Sequence, residues 1–367
     1  MKKNNDSKKT ASQASQQPSQ QASQQEAQKL EPSLEQWKEL YEITNKIKLM
    51  TPWKHLWDAD LITIAPAGYK EPVYCSIMGK NDETYAIGLY HGNEGLASYN
   101  NIMSHPEEPA LITGFQQKCL ICYYGNREEL LPKDREIIKS LGIKFRGRNA
   151  WTYFRSFDPG FYPWHIDAEQ ADYLIIILKS LYEALTYLFE EKPRIDFDKG
   201  ESLLYEFSVE TQQWTYGTSL LPNVLIKAPS LPLNIDELQV MRLKNKKKTQ
   251  QFLEFDIIYF PIPIQENRKI RPYLPRMCIL ADSISGLMVD QYMIDPEASV
   301  ADHALGMLVK HINEYGKPLR IFTRNEAIGC YIRELCRKID IELIEDAVLI
   351  TVNDLFENML DYLDERF

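Results

Sequence analysis

The chain has no long hydrophobic run and few cysteines, and each lack excludes a class of protein. The stretch nearest to a membrane span, residues 173–189, is interrupted by Lys179 and Glu183, so it should not cross a bilayer. Six cysteines in 367 residues are too sparse for the disulfide framework of a secreted protein. The first residues also lack the apolar core of a secretory signal. We therefore expect a cytoplasmic protein without membrane contact.

The sequence also lacks a complete constellation for a cofactor or a metal. The turn that contains His91, Gly92 and Gly95 could place backbone N–H groups around an anion. However, it has neither the lysine nor the spacing of a phosphate-binding loop. Cys119 and Cys122 form a lone C-x-x-C inside an apolar segment. Residues three apart in a strand point to opposite faces, so core thiols are favoured over a redox or zinc site. We expect no cofactor and no metal.

Positive charge is scarce, which argues against nucleic acid as a partner. The net charge is −10, and the first 31 residues contain more lysines than acids, so the remainder is still more acidic. Such a body repels a phosphate backbone. Arg146 and Arg148 form a small basic turn that could bind an anion, although a solvated loop is the simpler interpretation. The lysine run 244–248 is interpreted as the tip of a hairpin between strands 238–243 and 252–260, and a nucleic-acid contact or a localisation signal is the alternative.

The hydrophobic content of 44% is sufficient for buried cores, and the patterning divides the chain into four parts. Residues 1–32 form a Gln/Ser-rich tail that we expect to be disordered. An N-terminal α+β domain follows at 33–192. A β-rich hairpin and connector region occupies 193–272, and a C-terminal α/β domain occupies 273–367.

Helix signals bracket the N-terminal domain. Ser33 with Gln36, and Asp167 with Gln170, have the spacing of capping boxes, each before a helical apolar stripe. Strands are predicted at 61–65, 73–78, 84–90, 118–124 and 151–157. Trp53 and Trp57 lie four residues apart and are interpreted as core anchors, with a stacking platform for a ligand as the alternative.

The C-terminal domain begins with two apolar runs, 277–282 and 287–294, joined by a Ser/Gly-containing link that predicts a hairpin. Three helices then alternate with two strands. Gly316 and Pro318 mark the end of the first of these helices. Alternating strands and helices imply parallel pairing. The fold class is therefore α/β with mixed sheets, and the N-terminal part is α+β.

This order of elements resembles ribonuclease H-like folds, which usually have three antiparallel strands before the first helix. By that resemblance, Asp282 is a candidate catalytic residue, because it stands where the family places its first metal-binding carboxylate. Two-metal chemistry needs several converging carboxylates. The later strand ends instead at Arg324, which would repel a divalent cation. The alternative is that Asp282 bonds the hairpin turn.

Other positions resemble an uncharacterised family of bacterial proteins. They include Trp53-x-x-x-Trp57-Asp58-x-Asp60, the segment 74–79 and Pro159-Gly160-x-x-Pro163. In that family, one domain of unknown function is followed by a second. The resemblance implies the fold of most of residues 50–367, and it brings no known activity.

Three functions remain open at this stage. The lack of a complete catalytic constellation favours a non-enzymatic interaction or regulatory module with a protein partner or a second copy of the chain. The first alternative is a divalent-metal-dependent nuclease or nucleic-acid handler around Asp282. The second alternative is a small-ligand binder at the turn 91–95, which would need a formed pocket.

Overall fold

The computed structural model describes residues 31–106, 108–224, 235–265, 270–294, 298–324 and 326–364. All but the last two residues of the predicted disordered tail lie outside these ranges. The described chain forms two α/β units, each built on one mixed sheet.

The described residues contain nine α-helices and twelve β-strands. The helices are α1 (Leu34–Met50), α2 (Gly92–Ser104), α3 (Ala110–Gly114), α4 (Pro132–Ser140), α5 (Ala168–Glu191), α6 (Glu237–Lys244), α7 (Val300–Tyr315), α8 (Glu326–Lys338) and α9 (Ile350–Asp364). The strands are β1 (Ile62–Ala65), β2 (Val73–Met78), β3 (Ala86–His91), β4 (Cys119–Gly125), β5 (Trp151–Phe157), β6 (Glu201–Ser208), β7 (Gln213–Leu220), β8 (Phe252–Tyr259), β9 (Arg276–Asp282), β10 (Leu287–Ile294), β11 (Arg320–Thr323) and β12 (Glu342–Ile344).

The N-terminal sheet has seven strands in the order β5-β4-β3-β2-β1-β6-β7. All neighbours are antiparallel except β1 and β6, which are parallel. Helices α1 and α5 cover one face, where Leu40 and Leu181 belong to the main core. Helix α2 covers the other face with Leu96 and Tyr99. Burial of these apolar faces provides the main stabilisation of the unit.

Both predicted capping boxes are present. Ser33 Oγ accepts from Gln36 N at 3.2 Å, and Gln36 Oε1 accepts from Ser33 N at 2.8 Å. Asp167 and Gln170 exchange the same pair of bonds at the start of α5. These bonds satisfy backbone donors that a helix N-terminus leaves free.

The structure separates the two members of each predicted pair in this domain. Cys119 and Cys122 lie in different cores on opposite sides of the sheet, as predicted for core thiols, and burial raises the pKa of both. Trp53 is buried, but Trp57 is 49% exposed, so the core-anchor interpretation is wrong for Trp57. Residues 52–54 form a single 3₁₀ turn. The chain does not continue as an α-helix, in which residues 53 and 57 would lie on the same face.

The second sheet has the order β10-β9-β8-β11-β12. Of the strands in this sheet, the three that come first in sequence, β8, β9 and β10, pair antiparallel, and β11 and β12 continue the sheet in parallel. Helices α6, α7 and α8 pack on one face and α9 packs on the other. The sequence pattern predicts only two antiparallel strands before the first helix of this order, whereas a ribonuclease H-like core usually has three. The additional strand is β8, which precedes the other two in the chain.

The predicted hairpin of 238–243 with 252–260 is wrong. The first of these segments is helix α6, which buries Val240 and Leu243 and leaves Leu238 53% exposed. Positions 238 and 240 fit an alternating pattern, but 240 and 243 have helical spacing, and packing against α7 and α8 decides between the two. The lysine run therefore begins at a helix C-terminus, where positive charge is favourable.

None of the helices in the described part of the chain is both long enough and apolar enough to span a bilayer.

Gly316 ends α7 with φ at +105°, and a Cβ there would lie 2.5 Å from Lys247 O. We expect Gly316→Ala to lower the free energy of unfolding by about 2 kcal/mol, because both the backbone angle and the contact oppose a side chain. The control is Gly306→Ala, in the middle of the same helix, where a Cβ meets nothing within 4 Å. That change should stabilise by about 0.5–1 kcal/mol. Urea unfolding measures the effect of both substitutions. Equal effects would contradict the argument that the backbone angle and the contact with Lys247 exclude a side chain at Gly316.

Candidate functional site at the domain interface

Charged side chains lie at the centre of the second sheet. Glu254 and Asp256 alternate along β8 and face α9, because Ile258 on the same side belongs to the core beneath that helix. Strand β11 pairs with β8 and ends at Thr323, opposite Phe255. The next residue, Arg324, therefore lies beside Asp256. Arg324 is only 1% exposed. A guanidinium this deeply buried requires partners of opposite charge.

The partners of Arg324 come from three parts of the chain. Its Nε donates to Asp256 Oδ2 at 2.7 Å, and its Nη2 donates to Asn353 Oδ1 on α9 at 2.8 Å. Its Nη1 lies 2.8 Å from Glu108 Oε1, so the two groups form an ion pair. The geometry of this contact does not meet the criteria for a hydrogen bond. We call Glu108, Glu254, Asp256, Arg324 and Asn353 the Arg324 cluster.

The N-terminal domain covers this cluster with a segment made of residues 105–106 and 108–115. Glu108 in this segment reaches Arg324. His105 Nε2 lies 3.1 Å from Asp346 Oδ1 of the C-terminal domain. Ile112 is buried in the same apolar core as Leu349. The segment therefore combines ionic and apolar contacts with the partner domain.

A second contact joins the domains through the chain that leads into β9. Arg271 Nη2 donates to Ser156 O at 2.6 Å, and Arg271 also pairs with Asp158. Leu274 N donates to Gly160 O at 2.8 Å. The turn after β5 is therefore fixed by backbone as well as side-chain bonds.

The charges in the Arg324 cluster are unequal. Burial acts to lower the pKa of Arg324, but the carboxylates of Asp256 and Glu108 outweigh it, so the pKa is raised and the guanidinium stays charged. Burial raises the pKa of Glu108, and the opposing effect of Arg324 is smaller. Arg324 is therefore the counter-charge for two buried acids, Asp256 and Glu108.

The arrangement is suited to holding two domains together. Glu254 Oε2 accepts from Val352 N at 2.9 Å, so this acid is occupied by the start of α9. Within the described residues, no three histidine, cysteine, aspartate or glutamate side chains are grouped so that they could hold a metal ion. The guanidinium, by contrast, contacts two domains at once.

The structure places Asp282 at the end of β9, in the turn to β10. Its Oδ1 accepts from Ile284 N at 2.9 Å and from Ser285 N at 3.0 Å, which is the turn role given above as the alternative. Because β8 precedes β9 in the sheet, Asp282 does not lie on the first strand of the module. The acids on that first strand are Glu254 and Asp256.

The predicted anion site at the start of α2 faces a carboxylate of the chain itself. Glu71 Oε1 lies 3.4 Å from Asn93 N, and a Cβ on Gly92 would lie 2.5 Å from Glu71 Oε2. His91 Nδ1 is 2.5 Å from the Tyr173 hydroxyl. A negative charge at this helix N-terminus is favourable, and Glu71 supplies it.

The other candidates lie apart from one another. Arg146 and Arg148 are exposed in the loop before β5. Strand register places His91 beside the far end of β5, near Phe157, so these residues are at opposite ends of the sheet. Asp282 is in the other sheet. The structure does not bring the sequence-predicted candidates together.

Some of the residues that do converge have a partial signal in the sequence. Arg324 stood out as a basic residue where an acid was expected. Two acids inside the apolar strand 252–259 were a further signal, because buried carboxylates need a partner. Glu108 and Asn353 carried no signal, since their roles arise only from the packing of distant segments.

Two family models match the chain. Residues 37–205 match the domain of unknown function DUF7309, and residues 239–360 match the domain of unknown function DUF6930. The protein is thus a two-domain chain of unknown-function modules. It carries DUF7309 followed by DUF6930, which confirms the resemblance to a family with two such domains in succession.

Solved structures similar to part of the chain include viral integrases. The catalytic core domain of HTLV-2 integrase in complex with magnesium, in its dimeric form, is 17% identical, covers 32% of this chain and 73% of that chain, and has a TM-score of 0.23. The simian T-cell lymphotropic virus intasome in complex with the PP2A regulatory subunit B56 gamma is 17% identical, with 34% and 45% coverage and a TM-score of 0.24. Such values support no functional argument. No curated protein sequence matches the chain significantly.

Proposed function

We propose that the protein is a non-enzymatic interaction or regulatory module whose N-terminal domain closes over the centre of the C-terminal sheet. The supporting observation is the Arg324 cluster, in which a buried guanidinium contacts Asp256 of one domain and Glu108 of the other. We also propose a cytoplasmic location, because all six cysteines are buried thiols that form no disulfide, as in a reducing compartment.

The physical argument concerns what a buried ion pair contributes. Desolvation of both charges offsets most of their attraction, so such a pair adds little net stability. It does restrict geometry, because only one docking of the domains places Glu108 against Arg324. Interfaces between domains of one chain otherwise allow relative motion. We therefore interpret the Arg324 cluster as a device that selects one closed arrangement, from which a protein partner could be recognised or excluded.

The alternative of metal-dependent phosphodiester hydrolysis is tested with the same protein. Thermal unfolding is measured with and without Mn²⁺ for the wild type, Asp282→Asn and the control Asp198→Asn, which changes an exposed acid. A bound ligand at one hundred times its dissociation constant stabilises by about 2.7 kcal/mol. We expect no Mn²⁺-dependent shift in any of the three. Cleavage of single-stranded DNA and RNA is followed in parallel.

A stabilisation by Mn²⁺ that disappears in Asp282→Asn but persists in Asp198→Asn would overturn the proposal, above all if Mn²⁺-dependent cleavage disappears with it. A loss of the shift in both variants would indicate a diffuse effect of acidic charge and would leave Asp282 without a specific role.

A further inference from the structure

Strand β7 is the outer strand of the N-terminal sheet, and within the described residues it has none of the usual protection against pairing with another strand. Its eight residues, Gln213–Leu220, include no charge. Tyr216 is 39% exposed and Leu220 is 71% exposed. Proteins usually blunt an edge strand with charge, proline, a bulge or a covering segment. No described residue pairs with the outer side of β7.

The other three sheet edges are each protected. At β5, Ser156 exchanges two backbone hydrogen bonds with Trp164, at 2.8 and 3.1 Å. Strand β10 contains Asp290, which pairs with Lys310, and its register with β9 is irregular between Met288 and Asp290. Strand β12 has only three residues. Strand β7 is therefore the exception among the described edges.

The direction of the free backbone groups follows from one bond. Leu221 N donates to Gly200 O at 2.8 Å, so the backbone of residue 221 faces β6. Because the orientation alternates along a strand, residues 213, 215, 217 and 219 also face β6. The N–H and C=O groups of Trp214, Tyr216, Thr218 and Leu220 then point outward, as a row of donors and acceptors.

The side chains on one face of β7 are already ordered. The ring centroids of Tyr187 and Tyr216 are 4.0 Å apart, those of Tyr216 and Tyr205 are 4.7 Å apart, and those of Tyr205 and Trp214 are 4.5 Å apart, all stacked. A partner would therefore not bear the entropy cost of ordering these rings.

We propose that two copies of the chain pair antiparallel through β7, which joins their N-terminal sheets into one continuous sheet. The outward groups of both strands must face each other, and this fixes the allowed registers. The register centred on Gly217 places Trp214 against Leu220 of the second copy and Tyr216 against its Thr218. It covers the most exposed apolar side chain of the strand with an aromatic ring, and about eight backbone hydrogen bonds form.

The charge of the protein favours this strand as the contact. Each copy carries a net charge of −10, so two copies repel at low ionic strength. An uncharged strand lets them meet without burying like charges. A strand pair alone buries less area than a standard stable interface, so we expect a concentration-dependent dimer that strengthens as salt screens the repulsion.

The register is tested with a cysteine at its centre. A Cβ on Gly217 meets nothing within 4 Å, so Gly217→Cys should fold. In an antiparallel pair, opposite residues that do not exchange hydrogen bonds have Cα atoms about 4.5 Å apart, which suits a disulfide. Thr215→Cys is the control, because in this register two copies of residue 215 are about 14 Å apart. Mild oxidation should crosslink the first variant at least tenfold faster than the second. The native cysteines are all buried.

Sedimentation of the full chain over a range of concentrations tests the dimer itself. The wild type should approach twice the chain mass, whereas Thr218→Lys should remain monomeric because the two added lysines would lie diagonally across the contact. Thr211→Lys adds the same charge in the turn before β7 and should still dimerise. Thr218→Pro, which removes an outward N–H, is a second disrupting variant, and circular dichroism confirms folding. A monomer at all concentrations, or a dimer unaffected by both changes at Thr218, would overturn the proposal. This outcome is independent of the Mn²⁺ result.

Discussion

Arg324→Met should lower the free energy of unfolding by about 3–5 kcal/mol, because it leaves Asp256 and Glu108 as buried charges without a counter-charge. Methionine fills much of the volume of arginine, so the loss reports on charge more than on packing. The wild-type side chain is only 1% exposed, so water cannot replace the lost contacts. Urea unfolding at neutral pH measures the effect.

The comparison variant is Glu108→Gln. Because burial raises the pKa of Glu108, a neutral amide at this position should cost far less than the loss of Arg324, within about 1 kcal/mol of the wild type. Adding Glu108→Gln to Arg324→Met should recover part of the loss, since one uncompensated acid is removed. If Arg324→Met costs no more than a surface substitution, the Arg324 cluster does not hold the domains, and the proposed closure fails with it.

Asp134→Asn should destabilise the N-terminal domain by about 3–5 kcal/mol at neutral pH. Arg155 donates to both carboxylate oxygens of Asp134, at 3.0 and 2.6 Å, and both side chains are buried. His165 Nδ1 lies 3.5 Å from Asp134 Oδ1. The asparagine amide cannot balance the charge of the Arg155 guanidinium. It also has only one oxygen, so it cannot accept both hydrogen bonds from Arg155.

The pH dependence of this effect has a defined sign. Burial acts to raise the pKa of Asp134, but hydrogen bonds from His165 and Arg155 outweigh it and hold the pKa at about 2, below the ordinary 3.8. A carboxyl with a depressed folded-state pKa stabilises the protein above its ordinary pKa, and this stabilisation is lost as the pH falls towards 2. The difference between wild type and Asp134→Asn should therefore shrink by about 2 kcal/mol between pH 5 and pH 2. Glu128→Gln, at an exposed acid, should show no such trend; a constant difference for Asp134→Asn would contradict the argument.

Local signals in the sequence were sufficient for most elements of the fold. The capping boxes at Ser33 and Asp167 and the stop at Gly316 depend on residues within one turn, so their chemistry can be read directly. The segment 238–243 failed because its apolar residues satisfy two periods, and only contact with α7 and α8 selects the helix. A hairpin of 238–243 with 252–260 would leave β9 as the first strand of the C-terminal sheet, and Asp282 would then be the acid on that first strand.

The candidate site was less predictable than the fold, for a physical reason. Arg324 meets Asp256 and Glu108 across separations of 68 and 216 residues, and no local pattern encodes such contacts. The sequence could show that Arg324 would oppose a cation, but it could not show which acids the guanidinium pairs with. At the turn that contains His91, the sequence pattern predicted a favourable place for an anion. In the structure the carboxylate of Glu71, which lies in an earlier loop of the chain, takes that place.

Folding of the N-terminal sheet must bring together distant parts of the chain, because β1 pairs in parallel with β6 and Ile62 lies opposite Leu203. The hairpin β6–β7 is local and can form early, whereas its docking on β1 must await closure of the long intervening segment. Until then its aromatic face has no neighbour within its own chain. At high concentration during refolding, the hairpin of one molecule can dock on β1 of another, so we expect domain-swapped oligomers as the characteristic misfolded product.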